Sequence, residues 1–310
     1  MTFCHKRELL LRNFTWSKIN HFRLIGMSTN TIEKDPNTLK LGIDIGGTTV
    51  KAALVAHGDT IVRRAACPTD ADDIAGCIRK LCELLGIDVP DFVGVCSPGV
   101  IDSSSGIIHF AGNLGWRDYP LKSMLENELN TTVRVEHDVR CGARAESLYG
   151  CGYPSFVYLA LGTGLSIAPV VGRTALNLHP WCGEIGQLVL PENGGRRIEE
   201  LAAAGGIMSR WGDSVENLVS SVESDSEAAD IWNILIDSVA RCISYSVGLL
   251  GPLPVVVGGG ISGAGSALFT PLQELVAKYC GVIPAPPIEK AVLGADSQLL
   301  GAANLPAATP

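Results

Sequence analysis

Apolar and polar positions fall into short, regular blocks from residue 39 onward. Residues 41–45 and 50–55 are two apolar runs around Gly46-Gly47-Thr48-Thr49, which predicts strand, tight turn, strand. Residues 61–67 continue as a third strand, 73–85 carry helical periodicity, and 92–96 form a short buried strand stopped by Ser97-Pro98-Gly99. Residues 110–121 read as a loop leading into a helix over 121–129. A strand over 132–136 and a helix over 139–149 follow, so Asp138 falls where strand gives way to helix. The second half repeats the opening: strand 156–161, the turn Gly162-Thr163-Gly164, strand 166–171. Helices are predicted over 197–208, 228–248, 267–279 and 293–303, with a strand over 254–257 running into Gly258-Gly259-Gly260. Strands interleaved with helices predict a mixed α/β protein, and the repeated strand–turn–strand opening predicts two duplicated lobes facing one ligand.

Composition bounds the class. A hydrophobic fraction of 46% against 18% charged residues describes a packed chain, and 310 residues suffice for two cores. The net charge of −8 argues against a nucleic-acid partner, because a phosphate backbone requires a basic face. Ten scattered cysteines form no C-x-x-C pair, which predicts free thiols in a reducing, cytoplasmic setting. No uninterrupted apolar run reaches the roughly 18 to 20 residues of a membrane span, so no membrane partner is expected. Residues 1–38 differ: Lys6, Arg7, Arg12, Lys18 and Arg23 face a single Glu8 within the first 26, and Met27 offers an alternative start. They are expected to be a disordered or over-extended leader. The remainder divides into a smaller lobe over 39–150, joined by the C-terminal helix at about 293–304, and a larger lobe over 151–292.

The chemistry-bearing residues cluster at turns. Paired glycines let backbone N–H groups approach an anion, and the Thr48 and Thr49 hydroxyls add donors. Asp44, embedded in the first strand, suits a Mg²⁺ ion held directly or through water beside such an anion. The loop lacks the Gly-Lys-Ser/Thr ending of a Walker A motif, and no G-x-G-x-x-G opens a helix at this turn. Asn113 either turns its loop or hydrogen-bonds neighbouring sugar hydroxyls, and Asp138 either caps its helix or acts at the strand end.

Taken together, Asp44-Ile45-Gly46-Gly47-Thr48, Asn113-Leu114-Gly115-Trp116, Glu136-His137-Asp138-Val139, Leu161-Gly162-Thr163-Gly164, Gly183-Glu184-Ile185-Gly186 and Gly258-Gly259-Gly260 resemble the ROK family of sugar kinases and repressors. The likeness runs from about 41 to 303 and is greatest toward the bacterial glucokinase branch. It implies an actin-like, ribonuclease-H-like pair of lobes with sugar deep in the cleft and ATP across it. By motif position, Asp138 would be the general base toward the sugar 6-hydroxyl. Asn113, Asp138, Glu184, Gln187 and Glu199 would bind the sugar. Asp44, Gly46, Gly47, Thr48, Thr49, Thr163, Gly164 and Gly258 to Gly260 would hold nucleotide and Mg²⁺, in a homodimer.

Departures from the family pattern refine the expectation. Gln187 stands where zinc-bearing members carry a histidine, and 188–198 contain no cysteine, so no structural zinc is expected. Position 137 is histidine where the family usually shows asparagine. A kinase for mannose or N-acetylmannosamine, a polyphosphate-dependent kinase, and a sugar-sensing regulator without its DNA-binding domain are the alternatives.

Overall fold

The computed structural model describes residues 39–191 and 194–306, and the expected leader lies outside them. The glycine–threonine turn forms as the hydrophobic pattern predicts. β1 (Lys40–Ile45) and β2 (Thr49–Ala56) are antiparallel, β3 (Thr60–Pro68) extends the meander, and helix α1 (Ile74–Leu85) follows. Asp73 caps α1 by accepting from the Gly76 N–H at 2.7 Å, and Gly86 in the left-handed region ends it. β4 (Phe92–Ser97) then pairs parallel to β1.

A three-stranded excursion follows, made of β5 (Val100–Asp102), β6 (Ile107–Ala111) and β7 (Trp116–Tyr119). This corrects the expected loop over 110–121: it is a β-hairpin with Asn113 in its turn. The signal was masked because β6 and β7 are four or five residues long with exposed Phe110 and Arg117, too short for alternation to stand out. α2 (Leu121–Leu129), β8 (Thr132–His137) and α3 (Asp138–Tyr149) complete the first half, with β8 parallel to β4.

The second half opens on β9 (Phe156–Leu161), β10 (Leu165–Val171) and β11 (Thr174–Ala175). A 3₁₀ turn at Ile185–Gln187 and the small ribbon β12 (Val189–Leu190) and β13 (Arg196–Arg197) precede α4 (Ile198–Ala202) and α5 (Ala204–Trp211). The single helix expected over 197–208 is thus two, because Ala203 takes an extended ψ of 157° and its successor donates to the Gly162 carbonyl at 2.8 Å. α6 (Val215–Ser221), α7 (Ser226–Leu250), β14 (Val255–Gly258), α8 (Ser266–Cys280), β15 (Ile288–Lys290) and α9 (Ser297–Ala303) finish the chain. The last element is shorter than expected, its first turn being 3₁₀ at Gly294–Asp296. α7 is long and apolar enough to cross a membrane by composition alone, and half of its most apolar stretch is buried in the protein.

Strand order shows the duplication. The first sheet runs β3-β2-β1-β4-β8 and the second β11-β10-β9-β14-β15. In each, a central strand has an antiparallel meander on one side and parallel strands on the other. The described residues form one compact unit. One core lies between the first sheet, α1 and α2; another surrounds α7, including Trp232, Val239 and Ile243, against β9 and β14.

α3 and α9 join the halves. Val139 and Ala143 of α3 pack with Phe156, Tyr158 and Val170 of the second sheet, while Ala145 meets Leu299 and Leu300 of α9. Close approach of α9 to the first sheet depends on two glycines: a Cβ at Gly94 would fall 1.8 Å from the Ala302 carbonyl oxygen, and one at Gly42 2.3 Å from that of Leu299.

Candidate active site

Strand register brings the acids together. Asp44 of β1 is opposite Cys96 of β4, and Cys96 is opposite Glu136 of β8, so Asp44 and the β8–α3 junction share the C-terminal edge of three parallel strands. That edge is where open α/β sheets assemble ligand sites. His137, not Asp138, is the helix cap: its Nδ1 accepts from the Val139 N–H at 3.3 Å. Asp138 is the first helical residue, and its Oδ1 accepts from the same N–H at 2.7 Å.

Three side chains then form one array. His137 Nδ1 lies 3.3 Å from Asp138 Oδ1, and its Nε2 lies 3.2 Å from Glu184 Oε1. Exposures of 6% for His137, 16% for Glu184 and 29% for Asp138 leave only Asp138 substantially open. Ser166 donates to the Gly183 carbonyl at 2.9 Å and reaches Glu184 Oε1 at 3.4 Å, tying the Gly-Glu turn to β10.

Electrostatics adjusts each group. Burial raises the Asp138 carboxyl above the ordinary range, against the opposing pull of His137 and the Val139 N–H. Asp44 is raised to about 6, by burial first and the Asp138 charge second; Lys51, 4.0 Å away, opposes this weakly. For His137, burial favours the neutral ring, yet Asp138 and Glu184 outweigh it and its proton affinity rises.

The two glycine–threonine turns lie at corresponding ends of the two sheets. The first is pinned by Gly46 N–H donating to the Thr49 carbonyl at 3.0 Å and by Thr69 Oγ1 donating to the Gly46 carbonyl at 2.7 Å. Gly47 and Thr48 are exposed, and Thr49 is half-buried. Gly47 faces Asn113 so closely that a Cβ there would stand 3.1 Å from Asn113 Nδ2. Trp116 anchors the Asn113 hairpin by donating to the Ala71 carbonyl at 3.1 Å and by stacking on Tyr119.

The second turn exposes Thr163 and Gly164. Glu199 reaches the Leu165 N–H at 3.4 Å beside Gly164, and Gly259 and Gly260 back onto Gly162. Thr163 and Glu199 also line an open depression with Gly205, Ser209, Arg196 and Arg210. Gly258 is buried at the end of β14, whereas Gly259 and Gly260 are open. Gln187 is engaged elsewhere, its Oε1 accepting from Arg197 at 2.9 Å.

Those ordered turns and acids span the residues matched by the family model, 40–308, described as the ROK family. The chain belongs to the ROK family. Among relatives, it is 30% identical to a glucokinase of Halalkalibacterium halodurans over 84% of this chain and 92% of that one. Among solved structures, a ROK hexokinase from Thermus thermophilus is 27% identical with a TM-score of 0.70, covering 86% of this chain and 97% of that one. A ROK glucokinase from Streptomyces griseus, in complex with glucose and AMPPNP, superposes with a TM-score of 0.74 at 24% identity, over 86% of this chain and 98% of that one. The fold is accordingly the two-lobed, actin-like and ribonuclease-H-like architecture of ROK sugar kinases.

Sequence reasoning missed the network behind Asp138. Arg140 donates to Glu136 Oε1 at 2.6 Å, Ser103 donates to the same oxygen at 2.7 Å, and Asn177 donates to Ser103 at 3.0 Å. The i,i+4 spacing of Glu136 and Arg140 was legible, but β8 and α3 meet between them. Nothing local announced Ser103 or Asn177 as partners.

Proposed function

We propose that this ROK protein transfers the γ-phosphoryl group of ATP to the 6-hydroxyl of a hexose, glucose foremost, with Asp138 as general base. An alcohol attacks phosphorus poorly unless its proton is accepted as the new bond forms, and a carboxylate with raised proton affinity suits that task. The single observation carrying the reading is geometric: strand register sets Asp44, beside the first glycine–threonine turn, on one sheet edge with the β8–α3 junction that bears Asp138, whose neighbour His137 reaches Glu184 at 3.2 Å.

Asp138 and Asn113 serve one side of the sugar in this reading, Glu184 and Glu199 the other. The two turns hold phosphate oxygens through backbone N–H groups and threonine hydroxyls. Asp44 fits a Mg²⁺ ion, being a carboxylate whose partners are a lysine 4.0 Å away and the Cys96 thiol, which donates to its Oδ1 at 3.5 Å. Mg²⁺ held through a single carboxylate keeps waters and substrate phosphates as its other ligands. Mg²⁺ would supply charge neutralisation on the transferring phosphoryl group.

The test is a panel of glucose, mannose, fructose and N-acetylmannosamine, each with MgATP and with polyphosphate, and direct detection of the phosphorylated product. Glucose 6-phosphate formed from MgATP at the highest kcat/KM is expected. No turnover of any hexose with either donor rejects the proposal.

A further inference from the structure

We propose that His137 is a positioning residue that holds Glu184, on the turn after the second sheet's meander, in register with Asp138 at the end of β8. The inference rests on the kinase reading above and concerns how one imidazole sets the sugar side of that site.

The hydrogen-bond arithmetic favours one tautomer. Nδ1 takes the Val139 N–H at 3.3 Å and so acts as acceptor, which leaves the proton on Nε2, aimed at Glu184 Oε1 3.2 Å away. With a side chain only 6% exposed, His137 leaves little room for water to substitute in either direction. Ser166 approaches the same oxygen of Glu184, so both protein contacts fall on Oε1 and Oε2 is left for a ligand hydroxyl. The charged groups around the ring are Asp138 and Arg140 on its own helix and Glu184 from the facing turn.

Reach separates the two arms. An asparagine amide ends near the position of the imidazole Nδ1 and can serve the Val139 arm alone. A glutamine amide extends to the position of Nε2 and can serve the Glu184 arm alone. His137→Asn and His137→Gln therefore cut different contacts in the same hole.

The experiment measures hexose Kd by calorimetry, together with kcat and KM for sugar and ATP, in the wild type and both variants, with glucose as the probe. His137→Asn is expected to raise glucose Kd and KM about tenfold or more, as for loss of a hydrogen bond to a charged group, with ATP KM unchanged. His137→Gln is expected to keep glucose KM within about threefold and to put its loss in kcat, because its lost contact is the Val139 N–H at the helix start that carries Asp138. Adding His137→Asn to Glu184→Gln should weaken glucose no further than Glu184→Gln alone. In the wild type, the imidazole ¹⁵N spectrum should show the Nε2–H tautomer and a Nε2 resonance that moves on glucose binding, a readout that needs no variant to fold.

Equal losses in the two variants, an unchanged glucose Kd in His137→Asn, additive losses with Glu184→Gln, or a Nε2 resonance indifferent to glucose each overturn the inference while leaving the kinase reading intact. A wild-type protein that binds no hexose overturns both.

Discussion

The carboxylates of Asp44 and Asp138 repel across the edge of three parallel strands, and after burial it is the charge of Asp138 that does most to lift Asp44 to about 6. A carboxyl whose folded value lies above its unfolded one binds protons more tightly when folded. It therefore costs stability as pH rises from about 4 through 6, and the cost is complete at pH 7 to 8.

Asp44→Asn should stabilise the ligand-free protein at pH 8, by up to about 3 kcal/mol for a shift of roughly two units. The gain should vanish below about pH 4, where Asp44 is protonated in both states. Urea unfolding at pH 8 and pH 4 checks the sign; a variant less stable than wild type at pH 8 contradicts it. The same substitution should abolish most MgATP-dependent activity, a trade of function against stability.

Asp138→Asn keeps the shape of the helix start and removes the proton acceptor. The expected loss is about 10²- to 10⁴-fold in kcat, with sugar KM within a few-fold. Steady-state kinetics on glucose decides, and a variant with near wild-type kcat removes Asp138 from the role of base.

Arg140 is 2% exposed and donates to Glu136 at 2.6 Å, while its far end reaches the Cys182 carbonyl at 3.5 Å. Arg140→Met leaves a mostly buried Glu136 without its counter-ion, which should cost about 3 to 5 kcal/mol. The double variant Arg140→Met with Glu136→Gln should recover part of that loss. Chemical denaturation of the three proteins tests this, and equal stability of the single variant and wild type refutes it.

Gly94→Ala sets a methyl group 1.8 Å from the Ala302 carbonyl oxygen, so α9 must shift off the sheet. Overpacking of this kind costs about 1 to 3 kcal/mol, and backbone gives less readily than a side chain. The midpoint of urea unfolding should drop accordingly; an unchanged midpoint would mean that α9 docks more loosely than its two glycine seats require.

The chain alone determined the elements with strong periodicity and the turns between them. The Gly46-Gly47-Thr48-Thr49 hairpin, its echo at Gly162-Thr163-Gly164 and the long helix α7 are local consequences of where apolar residues and glycines fall. Motif order carried the family as well, because each motif is a turn whose chemistry is visible without its neighbours. Weak elements escaped: the Asn113 hairpin is too short for its alternation to register, and Ala203 breaks a helix through a hydrogen bond made by its successor to a distant carbonyl. Only tertiary structure decided which acids meet. Asp44 and Asp138 share an edge because parallel register aligns residues 44, 96 and 136, and His137 finds Glu184 because α3 packs against the second sheet. Such pairings depend on register and helix docking between segments far apart in the chain, where local propensity carries no information.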